Sequence, residues 1–133
     1  MQDSVFTKII KGTIPSFTIY EDDKTIAILD IHPVQPGMVL VITKVQVENF
    51  EDLDSPDYTA LWETVRKVAK QLRLAFPERK KIAIQVEGLD VPHVHVKLFP
   101  FDKPEEFRSI PDSTKQADSA TLAALAERLK IHG

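Results

Sequence analysis

The spacing of apolar positions in the first third of the chain predicts one helix and three strands. In residues 4–11 the apolar side chains recur three and four positions apart, and Gly12 follows them, which predicts a short opening helix. Residues 17–21 and 25–31 are rich in β-branched and apolar side chains and enclose a polar turn, which predicts a hairpin. A proline-rich interruption then leads into 38–43, a continuous apolar run typical of a buried central strand.

The middle of the chain predicts one long amphipathic helix. Ser55 supplies a hydroxyl suited to the N-cap, and Pro56 suits the first helical position, where a missing N–H costs nothing. Pro77 ends the helical pattern. The apolar stripe of this helix consists of Leu61, Val65, Val68 and Leu72.

The last third predicts a second hairpin, a loop and a final helix. Residues 81–86 and 93–99 have strand character and are separated by a polar bend, so we expect them to pair. Charge, proline and serine dominate 100–117, which predicts a surface loop. The helix that follows has an inner face formed by Leu122, Leu125 and Leu129.

Together these elements predict an α+β fold. Roughly five strands, mostly adjacent in sequence, favour an antiparallel sheet with helices packed on one side. The chain has 133 residues, of which 43% are hydrophobic and 28% charged, and this composition is typical of one globular domain spanning 1–133.

Charge and composition narrow the classes of function. The net charge of -3 provides no global positive field, so we expect no long nucleic acid as a partner. The absence of cysteine excludes thiolate chemistry and fits a reducing compartment, so we expect a cytoplasmic protein. No charged leader with an apolar block opens the chain, and no apolar run reaches the roughly 20 residues of a membrane span.

The densest chemistry lies in residues 92–100, where polar and apolar side chains alternate with the period of a strand. His93, His95 and Lys97 therefore share one face, and three basic groups in a row favour an anion as ligand. The alternate residues, which point into the core and set the register, are Val94, Val96 and Leu98.

Two other interpretations of this row remain open from the residues alone. The side chains could simply face solvent on the open side of a sheet. Alternatively, imidazoles two residues apart on a strand can chelate zinc, although Lys97 would repel the cation. A zinc site would also need a third ligand, for which the candidates are Asp90, Glu87 and His32.

Residues 92–98 read Pro-His-Val-His-Val-Lys-Leu, which resembles the signature of the histidine triad (HIT) family in its Hint-like or bacterial branch, with His-x-His-x-Lys in place of three histidines. The resemblance covers residues 4 to about 100, leaving 101–133 as a surface loop and C-terminal helix. Its upstream parts, in the expected order and spacing, are 6–15, 20–23, 29–33, 36–37 and 40–44.

The resemblance implies roles for individual residues. His95 takes the position of the family's nucleophile, with His93 and Lys97 beside it as catalytic residues in the phosphate site. Asp30 matches the acid that holds the ribose hydroxyls, and Gly88 lies in the loop that faces the phosphate. The positions that match the base pocket are Phe6, Ile9, Ile14, Ile28 and Ile31. Each pocket position also suits ordinary core, and Asp30 also suits a turn-closing role.

The activity implied is that of a hydrolase or nucleotidyl transferase acting on nucleoside phosphoramidates or related nucleotide conjugates through a nucleotidyl-histidine intermediate. The implied ligand is AMP or another purine nucleotide, without a cofactor or catalytic metal. The family also forms homodimers through the long helix and the strand that follows it. Trp62 and its neighbours are therefore expected to face a partner.

The chain departs from the family pattern at several positions. Lys97 replaces the third histidine, so a donor with a fixed charge stands where the family has an imidazole. Met38 and Gln46 stand where histidines are usual, and the loop 87–91 is short. These departures leave open an alternative, a weakly active or non-catalytic nucleotide-binding protein. No structural zinc is expected, because the Cys-x-x-Cys pair of zinc-bearing relatives is replaced by Ser4 and Thr7.

Overall fold

One antiparallel sheet organises the molecule, and the computed structural model describes residues 2–132 of it. Within that range the sheet has five strands in the order β1-β2-β3-β5-β4. This confirms the predicted α+β class and the pairing of the last two strands. The strands are β1 (Thr18–Glu21), β2 (Thr25–Leu29), β3 (Val39–Thr43), β4 (Lys81–Gln85) and β5 (His95–Phe101).

Helices lie against both faces of the sheet. The principal core, between the sheet and helices α2 (Ser55–Ala75) and α4 (Ser119–Leu129), uses Val39, Val41, Val96 and Leu98. The opposite face carries Ile26, Ile28, Leu40 and Ile42, which pack against Phe6 of α1. The predicted one-sided arrangement thus describes α2 and α4, whereas α1 covers the other face. The helices are α1 (Val5–Ile10), α2 (Ser55–Ala75), α3 (Pro104–Phe107) and α4 (Ser119–Leu129), with a 3₁₀ turn at Phe50–Asp52. None of the helices described is long and apolar enough to cross a membrane.

The start of α2 corrects one prediction. The N-cap is Asp54, whose carboxylate accepts a hydrogen bond from the backbone N–H of Asp57 at 3.0 Å, and Ser55 is already helical. A carboxylate and a hydroxyl are both good N-caps. Because Asp54 and Ser55 are adjacent and both suit an N-cap, the sequence placed the N-cap of α2 one residue too late.

Strand β5 begins and ends two residues later than predicted. It includes Pro100, although proline donates no hydrogen bond to a sheet. The pairing with β3 ends at Leu98, so Pro100 has only β4 as a paired neighbour and its missing N–H breaks no ladder on the other side. The predicted surface loop consequently starts at Asp102 and contains the short helix α3.

Helix α1 is fastened to the sheet by a polar cluster. Ser4 caps α1 by accepting from the backbone N–H of Thr7 at 3.0 Å. The Ser4 hydroxyl lies 2.6 Å from Nδ1 of the buried His93. Gln46 accepts from the hydroxyl of Thr7 at 2.6 Å and from the backbone N–H of Ser4 at 2.9 Å. Three separate segments of the chain are thereby tied together.

We expect Ser4→Ala to destabilise the fold by about 1–3 kcal/mol, because it leaves the buried Nδ1 of His93 without its closest partner. The measurement is the free energy of unfolding in urea. The matched control is Ser55→Ala on the exposed start of α2, which should change that value by less than about 0.5 kcal/mol. Equal effects of the two substitutions would contradict a role for Ser4 in holding α1.

Candidate active site

A cavity of about 470 Å³ opens on the face of the sheet that carries α1. Part of its wall comes from α1, and part from the end of β2 and the start of β5, which the sheet register brings together across β3. Two predicted site residues, His93 and Gly88, do not line the cavity. The eight that do are Phe6, Ile9, Ile14, Ile28, Asp30, Ile31, His95 and Lys97.

Further residues of the cavity wall were not predicted to bind a nucleotide, and His32, Glu87 and Asp90 among them were considered only as zinc ligands. Leu40 lies opposite Lys97 on the neighbouring strand, so its place follows from alternation once the register is known. Segment 110–113 comes from the predicted surface loop, and no local pattern marks it. It reaches the cavity because Ala117 donates its N–H to the carbonyl of Ile31 at 2.9 Å. The other lining residues are Val5, Pro15, Ser16, Leu29, His32, Glu87, Asp90 and Val91.

The hydrogen bonds of His95 determine which ring nitrogen faces the cavity with a lone pair. Nδ1 lies 2.7 Å from the main-chain carbonyl of His93. A carbonyl only accepts, so Nδ1 carries the proton, and in the neutral ring Nε2 is the unprotonated nitrogen. Nε2 has no hydrogen-bond partner among residues 2–132, although the side chain is only 6% exposed. The ring of Phe6 packs edge-on against it with centroids 4.8 Å apart.

His93 is oriented just as firmly, but away from the cavity. Its Nε2 lies 2.6 Å from the carbonyl of Thr43, so Nε2 donates and Nδ1 accepts from the Ser4 hydroxyl. Both nitrogens are therefore occupied within the protein. The contribution of His93 to the site is its main-chain carbonyl, which orients His95.

Burial holds the pKa of both imidazoles below the ordinary value for histidine. For His95 the largest cause is burial, and the positive charge of Lys97 lowers the pKa further. The carboxylates of Glu87 and Asp30 act in the opposite direction on His95. For His93 the causes are burial and the neighbouring His95. Because protonation of either ring is disfavoured, both are neutral at pH 7 and His95 is a free base.

Lys97 is available to an anion in the cavity. Its side chain is half-buried and has no ion pair within 4.0 Å among the residues described. Asp30 closes a turn and also lies in the cavity wall. Its Oδ1 accepts from the backbone N–H of His32 at 2.8 Å.

The donor set argues against the zinc interpretation. Within residues 2–132, no three His, Asp or Glu side chains are grouped closely enough to hold a metal ion. His93 has no free nitrogen for ligation, so the proposed pair of imidazoles reduces to His95 alone. Interpretation as a solvent-facing row also fails, because His93 and His95 are buried.

Met38, at a position where the family pattern has a histidine, points elsewhere. It is buried with Ala83 and Phe99 in a separate apolar cluster, and its sulfur lies 3.4 Å from the backbone N–H of Val34. It does not line the cavity of His95.

Comparison with known proteins gives consistent matches. Residues 11–103 match the sequence model of the HIT domain. The chain is 30% identical to protein hit of Bacillus subtilis over 138 residues, covering 96% of this chain and 95% of that protein. It is also 30% identical to adenosine 5'-monophosphoramidase HNT1 of Candida albicans, over 95% of this chain and 88% of that one.

Solved structures agree with the sequence matches. The crystal structure of a HIT-like protein from Bartonella henselae superposes with a TM-score of 0.83 at 28% identity. The superposition covers 96% of this chain and 94% of the other. A HIT family protein from Bacillus subtilis superposes with a TM-score of 0.74 at 30% identity, over 84% of this chain and 83% of that one.

We expect Lys97→Gln to raise the pKa of His95, because the substitution removes a positive charge that disfavours the imidazolium. The measurement is an NMR titration of the imidazole resonances in the parent protein and the variant. Lys70→Gln, on the exposed face of α2, is the control and should leave the titration of His95 in place. A lower pKa in Lys97→Gln would contradict the described electrostatics.

Proposed function

The chain belongs to the HIT family, and on that premise we propose that it hydrolyses nucleoside phosphoramidates or related nucleotide conjugates, with His95 as the nucleophile. The observation that carries the proposal is the free Nε2 of a buried, neutral His95 in a cavity that also holds Lys97. The name of the Candida albicans relative, adenosine 5'-monophosphoramidase, supports this class of substrate.

The first step is attack by His95 on the α-phosphorus. The lone pair of Nε2 forms a bond to phosphorus, and the bond from phosphorus to the leaving nitrogen breaks. That nitrogen keeps the electron pair and takes a proton from cavity water, so the leaving group departs as an amine. Lys97 stabilises the negative charge of the phosphoryl oxygens. The carbonyl of His93 accepts from Nδ1–H throughout and stabilises the positive ring that forms.

The second step is hydrolysis of the nucleotidyl-histidine. A water oxygen bonds to phosphorus as the bond from phosphorus to Nε2 breaks, and the electron pair returns to the nitrogen. The proton of the water passes to solvent. The products are a nucleoside monophosphate and His95 in its original tautomer, because the hydrogen bond from Nδ1 is unchanged.

The remaining wall of the cavity suits the nucleoside. One oxygen of Asp30 closes the turn to His32, and the other is available to accept from ribose hydroxyls. The apolar residues of α1, β2 and the segments that follow each of them form a surface for a planar base, with AMP or another purine nucleotide as the proposed ligand. The lining residues in this part are Phe6, Ile9, Ile14, Ile28 and Ile31.

A second candidate function is nucleotide binding without efficient turnover. The observation that favours it is a shortage of histidine side chains free to protonate a leaving group. Met38 is packed elsewhere, and Nδ1 of His32, the second histidine of the cavity wall, lies 2.8 Å from the carbonyl of Lys115. Attack by His95 requires neither residue, so the two candidates differ in rate rather than in binding.

The test is release of AMP from an adenosine phosphoramidate. We expect turnover by the parent protein and a loss of about three orders of magnitude or more in His95→Ala, because the covalent route is removed. His132→Ala, outside the cavity, is the control and should retain the parent rate. Lys97→His measures the effect of the departure from the family pattern. A parent protein that binds AMP without turning over the substrate would favour the second candidate.

We also propose that the protein forms a homodimer through α2 and the edge strand β4. At one sheet edge, Ile131 donates its backbone N–H to the carbonyl of Ile19 in β1 at 2.9 Å, whereas at the other edge β4 is paired with β5 alone within residues 2–132. The apolar side chain of Ile84 in this edge strand is 44% exposed. Unpaired strand edges with exposed apolar residues readily pair with another chain.

Light scattering after size exclusion should give twice the chain mass of 15.0 kDa. Ile84→Lys should shift the protein toward the monomer, because a charge on the edge disfavours edge pairing. Val45→Lys changes a residue of similar exposure, 41%, away from β4, and should leave the dimer intact. A monomeric parent protein at micromolar concentration would rule out this assembly.

A further inference from the structure

The cavity around His95 carries more negative than positive charge. Its carboxylates are Asp30, Glu87 and Asp90, and its one lysine or arginine among the lining residues is Lys97. Asp30 already accepts a hydrogen bond in a turn. Glu87 and Asp90 are exposed and have no ion pair within 4.0 Å among residues 2–132, and one oxygen of Glu87 accepts from the backbone N–H of Leu89 at 3.2 Å. A site for a phosphate would be expected to carry the opposite balance.

The position of the two carboxylates links them to the reacting centre. Glu87 and Asp90 lie on the connection between β4 and β5, a few residues before His95. Both line the same cavity as His95, a residue only 6% exposed whose Nε2 has no hydrogen-bond partner within residues 2–132. The residues proposed to bind the base come instead from α1, β2 and the segments that follow them, in other parts of the wall.

We infer that the leaving group of the substrate is cationic. It is a diamine: one nitrogen is bonded to the phosphorus of the nucleotide, and the other is a protonated amino group held by Glu87 and Asp90. The inference rests on the proposed function and names the substrate class of the same site. Lys97 takes the phosphoryl charge, and the two carboxylates take the ammonium.

Charge complementarity explains why such a substrate is selected. A nucleotide conjugate with a neutral leaving group brings one negative phosphoryl group toward a wall that already has surplus carboxylates. An ammonium on the leaving group makes its interaction with Glu87 and Asp90 attractive, while Lys97 still neutralises the phosphoryl oxygens. A leaving group with a carboxylate is repelled at the same place. Glu87 and Asp90 therefore select substrates by the charge of the leaving group.

The experiment compares three adenosine 5'-phosphoramidates of equal chain length. Their amines are 1,3-diaminopropane, propylamine and 3-aminopropanoate, which give a cationic, a neutral and an anionic leaving group. We expect kcat/KM of the parent protein to follow that order, with a difference between the extremes on the order of tenfold, since exposed charge pairs contribute up to about fivefold each. High salt should compress the difference, because the Debye length falls from about 30 Å at 0.01 M to about 3 Å at 1 M.

The variant arm assigns the preference to the loop. Glu87→Gln combined with Asp90→Asn should reduce the ratio of kcat/KM for the cationic over the anionic substrate toward one. Glu78→Gln combined with Glu127→Gln removes the same charge from exposed positions outside the cavity and should leave the ratio as in the parent protein.

The outcomes separate this inference from the proposed function. Turnover of all three substrates with equal kcat/KM, or with the anionic one preferred, would overturn the cationic leaving group while the hydrolase survives. A preference unaffected by the loop variant would remove Glu87 and Asp90 from the explanation and overturn the inference as well. Failure to release AMP from any of the three would instead contradict the hydrolase itself.

Discussion

The hydrogen bond from Nδ1 of His95 to the main-chain carbonyl of His93 is the interaction on which the rest of the site depends. It determines the tautomer of His95, and therefore which nitrogen presents a lone pair to the cavity. The carbonyl is held in place because the His93 ring is itself bonded at both nitrogens, to Ser4 and to the carbonyl of Thr43. A flexible imidazole is thus oriented by buried main-chain and hydroxyl groups.

This arrangement requires a strand with two different environments. On one face of β5, Val96 and Leu98 are fully buried against the principal core, which fixes the register with β3 and β4. A shift by one residue would place His95 and Lys97 in that core. Burial of the apolar face of β5 thereby determines where His95 and Lys97 lie on the opposite face. Helix α1 forms part of the cavity wall on that face.

The departures from the family pattern fall into two groups with different consequences. Ser4, Thr7 and Gln46 form a hydrogen-bonded cluster with His93 that joins α1 to the sheet without cysteine ligands. Lys97 instead changes the electrostatics of the cavity, because its positive charge lowers the pKa of His95. The first group concerns the support of the site, and the second its reactivity.

The sequence alone determined the periodic features of this protein: the α+β class, the two hairpins β1–β2 and β4–β5, and the shared face of His95 and Lys97. Those features follow from local alternation and from apolar spacing, which the chain carries in neighbouring residues. Only the tertiary structure decided that α1 covers the opposite face, that Asp54 rather than Ser55 caps α2, and that His93 turns both nitrogens inward. It also decided that segment 110–113 reaches the cavity, because contacts between residues distant in sequence leave no local pattern.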